Sequence, residues 1–178
     1  MDCQKVKGLN CGDCGIASCT TSVMRTPVSA LDAKLKKADI DCLEYDIETG
    51  MYFIKRNPDK ACIFFDILTE RCSLPLEKRF NSCLVYPVRL YIDKKDYEVY
   101  VILNKTCPSA LSLFDMYSRR EPSAVNYIKT ATKIIMADAE YRNHVLEKTK
   151  DFTEILRIGT LRDVLGGEAF CGWQSLEQ

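Results

Sequence analysis

The chain has 178 residues, 10 of them cysteine, with 47% hydrophobic and 28% charged side chains and basic and acidic residues balanced at 25 each. A domain of this size buries roughly 70% of its unfolded surface and needs no covalent staples. This excludes a minimal secreted scaffold, in which cysteine exceeds about 8–10%, and the ordinary composition excludes a disordered chain. A net charge of zero creates no positive field of the kind that draws nucleic acid or an anionic membrane, so neither is an expected partner.

Residues 1–24 read as loop, punctuated by Gly8, Asn10, Gly12, Asp13 and Gly15. A short helix is predicted next, with Thr26 as cap, Pro27 in the first helical position, and Val28, Leu31 and Leu35 along one face. Residues 42–48 and 51–56 are short strands around Glu48-Thr49-Gly50, and 61–83 reads as an irregular loop organised around a site. Residues 84–91 and 97–103 are rich in β-branched and aromatic side chains, with Asp93-Lys94-Lys95-Asp96 between them. They predict a β-hairpin.

Helices follow. One is predicted over 109–119, and a longer one starts at Pro122 and runs to about Lys150. Its stripe is Val125, Ile128, Ala131, Ile135, Ala139, Arg142 and Leu146, a face that surface helices normally turn toward the core. A last helix is predicted over 151–165, stopping at Gly166-Gly167. The expected fold class is α+β: a small, irregular, cysteine-rich metal-binding body with a β-hairpin over 1–108, followed by a C-terminal helical layer over 109–178. Together they make one domain.

Met1 to Lys7 hold no apolar run of the signal-peptide kind, and no stretch reaches the ~18 apolar residues of a membrane span. The expected location is cytoplasmic. In that reducing compartment clustered thiols are metal ligands or catalysts more often than disulfides, hyperthermophiles being the recognised exception.

Nine cysteines fall between Cys3 and Cys107, and only Cys171 follows. Clustered soft thiolates hold zinc and iron–sulfur centres. A Cys-x-x-Cys turn directs two sulfurs at one ion, and Cys11-Gly12-Asp13-Cys14-Gly15 supplies it, with Cys19 close behind. A thioredoxin-like motif would follow a strand and open a helix, whereas this pair sits in a Gly-rich loop. A zinc ribbon would bring a second Cys-x-x-Cys, which the sequence lacks.

The remaining motifs come in a set order: Cys62-Ile63-Phe64-Phe65-Asp66, Cys72-Ser73-Leu74, Glu77-Lys78-Arg79-Phe80-Asn81-Ser82-Cys83-Leu84-Val85-Tyr86-Pro87, then Cys107-Pro108. With the Cys-x-x-Cys-Gly before them, they make residues 11–108 resemble the YkgJ-type cysteine-cluster family, described as zinc- or iron-chelating proteins. The chain departs from that pattern in three places. Ala17 and Ser18 precede a single Cys19 where the family has an adjacent cysteine pair. Phe80 replaces the proline after Arg79, and the Cys72–Cys83 interval is one residue longer. The resemblance implies Cys11, Cys14, Cys19, Cys62, Cys72, Cys83 and Cys107 as ligands, one short of the family's usual set. An oxygen or water ligand, Cys3 or Cys42 would complete it, unless some of these cysteines are not ligands.

Cys3, Cys42 and Cys171 lack motif context and read as packed or free thiols. His144, the sole histidine, excludes multi-histidine sites and reads as a solvated or capping residue; a Cys–His nucleophilic pair would depend entirely on it. Arg79 would either offset thiolate charge or form an ordinary salt bridge. No Gly-rich phosphate loop, nucleophile elbow or paired-carboxylate motif occurs. Two functions follow from the cysteines. One is an iron–sulfur or redox-active iron centre used in electron transfer or in modifying another molecule. The other is a structural zinc site, with the helical extension as a surface for a protein partner. All-thiolate ligation suits either metal.

Overall fold

The computed structural model describes residues 25–58, 61–69, 71–105, 107, 109–149 and 155–166. The loop expected over residues 1–24 lies outside them, with Cys3, Cys11, Cys14, Cys19 and Cys171.

Strand β1 (Pro27–Val28) stands where a helix start is expected, because Pro27 and Val28 pair with Phe53 and Tyr52 of β3. Helix α1 (Ala30–Lys36) begins three residues later, capped by Ser29, whose hydroxyl accepts the Asp32 amide at 3.0 Å. That delay rotates the helix. Leu31 and Leu35, predicted to share one helical face, are 50% and 68% exposed, and Asp32 is the buried position of the helix.

Strands β2 (Leu43–Asp46) and β3 (Met51–Ile54) appear where expected and form an antiparallel sheet in the order β1-β3-β2. Asp46 fixes the turn by accepting the Glu48 and Thr49 amides at 3.0 and 3.2 Å, and Gly50 closes it with φ +67°. Residues 61–83 carry more regular structure than expected. Strands β4 (Phe65–Asp66) and β5 (Arg71–Cys72) form a two-stranded ribbon, and a single 3-10 turn (Leu76–Lys78) leads to α2 (Asn81–Val85).

The predicted hairpin is β6 (Val88–Ile92) against β7 (Val99–Asn104), with Val88 opposite Leu103 and Ile92 opposite Val99. Its first strand is shorter than predicted, because Leu84 and Val85 belong to α2. There the Tyr127 hydroxyl donates to the Leu84 and Tyr86 carbonyls at 3.2 and 2.6 Å and ends the helix before the cis Tyr86–Pro87 bond.

Helix α3 (Ala110–Ser118) matches prediction. The long helix is two: α4 (Pro122–Ala137) and α5 (Ala139–Thr149), separated by Asp138 in extended conformation. Asp138 is buried. It accepts the Tyr141 amide at 3.0 Å and the Ser29 hydroxyl, so its carboxylate caps α5 and ties it to the start of α1. The interruption shifts the buried face by one residue. Ile128, Ala131 and Ile135 are buried as expected, but in α5 the buried positions are Tyr141, Val145 and Thr149 rather than Ala139, Arg142 and Leu146.

Residues 155–160 correct a further expectation. They form β8 (Ile155–Thr160), antiparallel to β7 with an irregularity between Val101 and Ile102, where a helix is predicted. Helix α6 (Leu161–Leu165) follows. The Thr160 hydroxyl accepts the Asp163 amide while Asp163 accepts the Thr160 amide, a capping box. Gly166 ends it at φ +81°.

The architecture is mixed α+β. The β6-β7-β8 sheet and helices α2–α6 enclose a main core that includes Leu90, Val101, Leu103, Ile128, Ile135 and Leu161. A smaller cluster of Val28, Leu43, Ile54, Cys62 and Phe80 lies beside α1 and the β4–β5 ribbon. Among the described residues no helix is long and apolar enough to cross a membrane.

Candidate functional site

The described candidate ligands divide between the two clusters. Cys62 forms an isolated bridge with Arg56, and its carbonyl accepts the Phe65 amide at 2.9 Å. Phe65 pairs across the ribbon with Cys72, and the Ser73 amide donates to the Phe64 carbonyl at 2.7 Å. The Phe64 ring meets Phe80 at 6.5 Å between centroids, and Cys83 lies three residues after Phe80 on α2. Cys72 thus lies on the ribbon, Cys83 on α2 and Cys62 in the smaller cluster. Cys62 is buried in it, Cys72 is half-buried and Cys83 is exposed.

Cys107 lies elsewhere, buried in the main core at the turn from β7 into α3. Its amide donates to the Asn104 carbonyl at 3.1 Å, and its carbonyl accepts the Ala110 amide at 2.9 Å. Cys11, Cys14 and Cys19 lie outside the described residues. Among the described residues no three His, Cys, Asp or Glu side chains gather as a metal-holding group. A tetrahedral site needs four donors. The described thiols by themselves do not supply them. Cys42 and Cys72 are free thiols.

Phe80, where the resembled pattern has proline, is buried in the smaller cluster. An aromatic ring there meets Phe64, the residue before β4, and so ties the start of α2 to the ribbon. Arg79 donates from Nε to the Leu74 carbonyl at 3.2 Å, closing the loop between Cys72 and Cys83. Cys42 is half-buried; burial, then the Asp39 and Asp41 charges, pushes its thiol up and favours the protonated form. A protonated thiol is a poor ligand.

His144 is half-buried. Its ring meets Phe53 edge-on at 5.8 Å, and burial, followed by Lys148 and Arg89, pushes its pKa below 6.5. The imidazole is neutral at neutral pH.

Behind α2 lies a polar network absent from the sequence reading. Asp32 Oδ2 accepts the Asn81 amide at 2.7 Å, and Ser29 joins Asp32 to Asp138 by accepting the Asp32 amide and donating to the Asp138 carboxylate. Glu140 accepts the Ala30 amide at 2.9 Å. Three separated segments thus converge on the start of the helix that carries Cys83. The Ser29-x-x-Asp32 spacing is the local signal that could have located the α1 cap. The long-range bonds have no sequence signal.

Burial pushes the Asp32 carboxyl above its ordinary 3.8, and Asp138 adds to the rise, against the Asn81 amide and Lys36. A raised folded-state pKa means that the group's favourable contribution is complete below 3.8 and is lost as pH rises through the folded value. Asp32→Asn keeps an acceptor for the Asn81 amide. It is expected to flatten the decline in stability on that rising limb, read by urea unfolding at pH 4, 5.5 and 7.

No family model matches the chain, and neither the curated proteins nor the solved structures give a match.

Proposed function

We propose that this chain is a cysteine-cluster metal protein holding an iron–sulfur or iron centre, with Cys11, Cys14, Cys72 and Cys83 as principal ligands and Cys19, Cys62 and Cys107 as the rest of the donor set. What supports this reading is the order of the cysteine motifs along the sequence, with Cys62, Cys72 and Cys83 on neighbouring segments whose Phe64 and Phe80 rings meet at 6.5 Å. The likeness of residues 11–108 to the YkgJ-type pattern points the same way. When bound, an iron–sulfur centre supplies single-electron exchange.

The protein's contribution is positioning. Asp32 holds the first residue of α2 and Tyr127 holds its end, so the Cys83 backbone is anchored on both sides. The thiols must lose protons to bind metal, so affinity rises with pH.

Metal analysis and a visible spectrum of anaerobically purified protein test the reading. The expected result is stoichiometric iron with broad brown absorption. Cys72→Ser and Cys83→Ser should each lower bound iron at least ~10-fold, the scale of losing a site-determining group, and Cys42→Ser should leave it unchanged. Colourless protein with stoichiometric zinc would replace the iron centre by a structural zinc site. Metal-free protein with paired thiols would overturn both.

A further inference from the structure

Two buried acids meet where α1, α2 and α5 join. Asp32 is 2% exposed and Asp138 3%, and neither forms an ion pair among the described residues. The Ser29 hydroxyl, also buried, joins the two residues by accepting the Asp32 amide and donating to the Asp138 carboxylate. The charged groups around the junction are engaged elsewhere. Lys36 donates to the Glu77 carbonyl at 3.1 Å, Glu140 accepts the Ala30 amide, and Arg142 donates to the Met136 carbonyl at 3.1 Å. Cys83 is the titratable side chain of α2, and burial keeps the Tyr141 phenol protonated.

The two acids differ in how their oxygens are occupied. Asp138 accepts through both, from the Tyr141 amide and the Ser29 hydroxyl, which leaves no place for a proton. Asp32 accepts the Asn81 amide on Oδ2 at 2.7 Å, while its Oδ1 is buried without a partner. A proton that enters the pair therefore sits on Asp32.

Ionising Asp32 strengthens its bond to the Asn81 amide but places two like charges at one buried junction with no counter-ion paired to either. The cost is the larger effect. Burial first, and Asp138 with it, raises the Asp32 carboxyl above 3.8 against the Asn81 amide and Lys36. The junction is relieved by admitting water, and α2 is the element that can yield. It is five residues long, and its start is held by the Asp32–Asn81 bond and by the buried Phe80 ring. We propose that Asp32 and Asp138 form a pH-sensitive latch on the start of α2, closed with a proton on Asp32 and loosened when both carboxyls are charged. The loosening is a local opening of the smaller cluster, distinct from global unfolding. The latch does not depend on the metal reading.

Hydrogen exchange of the purified full-length chain, corrected for the intrinsic rate at each pH, tests it. The reporters are the Asn81, Cys83 and Leu84 amides, the last two bonded to the Phe80 carbonyl, with the β7 amides as reference for global unfolding. The α2 amides should be less protected than those of β7, and their protection should fall as pH rises from 5 to 8. A fall of about 10-fold corresponds to one pKa unit between the closed and open states. Asp32→Asn keeps an acceptor for the Asn81 amide and should make α2 protection independent of pH. If that variant does not fold, Asp138→Asn decides, because removing the neighbouring charge should reduce the fall. Equal protection of α2 and β7 at every pH would overturn the latch, since no separate opening would exist. So would pH-independent α2 protection in the parent chain, or an undiminished fall in the variants.

Discussion

Replacing Asp138 by alanine is expected to lower stability by about 3 kcal/mol, the sum of a lost helix cap and a lost charge-assisted hydrogen bond. The corresponding fall in melting temperature is roughly 10 °C for a domain of this size. The carboxylate caps α5 through the Tyr141 amide and binds the Ser29 hydroxyl, and it is buried. Removing it leaves an amide and a hydroxyl unpaired away from water, which costs more than the loss of two exposed bonds. Asp138→Asn keeps an acceptor and should recover part of the loss. Urea unfolding of the two variants beside the parent chain measures both. A change below 0.5 kcal/mol for alanine would show that α4 and α5 do not depend on this residue; that figure is roughly the scale of a neutral surface substitution.

Leu103→Ala should cost about 3–4 kcal/mol, because the side chain is wholly buried in the main core and its removal leaves a cavity. Leu35→Ala should change stability by less than about 0.5 kcal/mol. Leu35 is 68% exposed on α1, and alanine is the better helix former. The pair checks the rotation of α1, since the predicted helical face would make Leu35 a core residue. Chemical denaturation of both variants decides between the two orientations: a loss near 2 kcal/mol at Leu35, the usual scale of a buried leucine truncation, would place that side chain inside.

The elements that could be read from the sequence are those whose signals are local. The turn at Glu48-Thr49-Gly50 needs a residue at positive φ, and Gly50 provides it. The alternating apolar residues of 97–103 belong to a strand that runs to Asn104. Pro122 opens α4 as expected, because a missing amide hydrogen costs nothing in the first turn. The cysteine motifs could be found for the same reason, since their residues lie a few positions apart. The structure adds the packing of Phe80 against Phe64, which joins the start of α2 to the segment before the ribbon.

Misreadings arise where a distant partner overrides a local preference. Residues 155–160 pair with β7, about fifty positions earlier, and no pattern within six residues announces that pairing. The apolar stripe across 122–150 runs through Asp138 without a visible break, yet a hydroxyl 109 residues away and the Tyr141 amide favour an extended residue there. Thr26-Pro27 is a good helix start in isolation, but the edge of β3 takes Pro27 and Val28 into a sheet, and Ser29 caps the helix instead.

The cysteine content that sets this chain apart was evident from its composition, and the sequence by itself determined the α+β class, the hairpin, helices α3 and α4, and the ordered series of thiols. Tertiary structure alone decided the strand identity of β8, the break at Asp138, the buried face of α1, and the placing of Cys62 and Cys107 in separate clusters. The physical reason is range. Caps, turns and periodicity act over three to seven residues, whereas strand pairing and the satisfaction of buried polar groups depend on partners that only folding brings within hydrogen-bond distance.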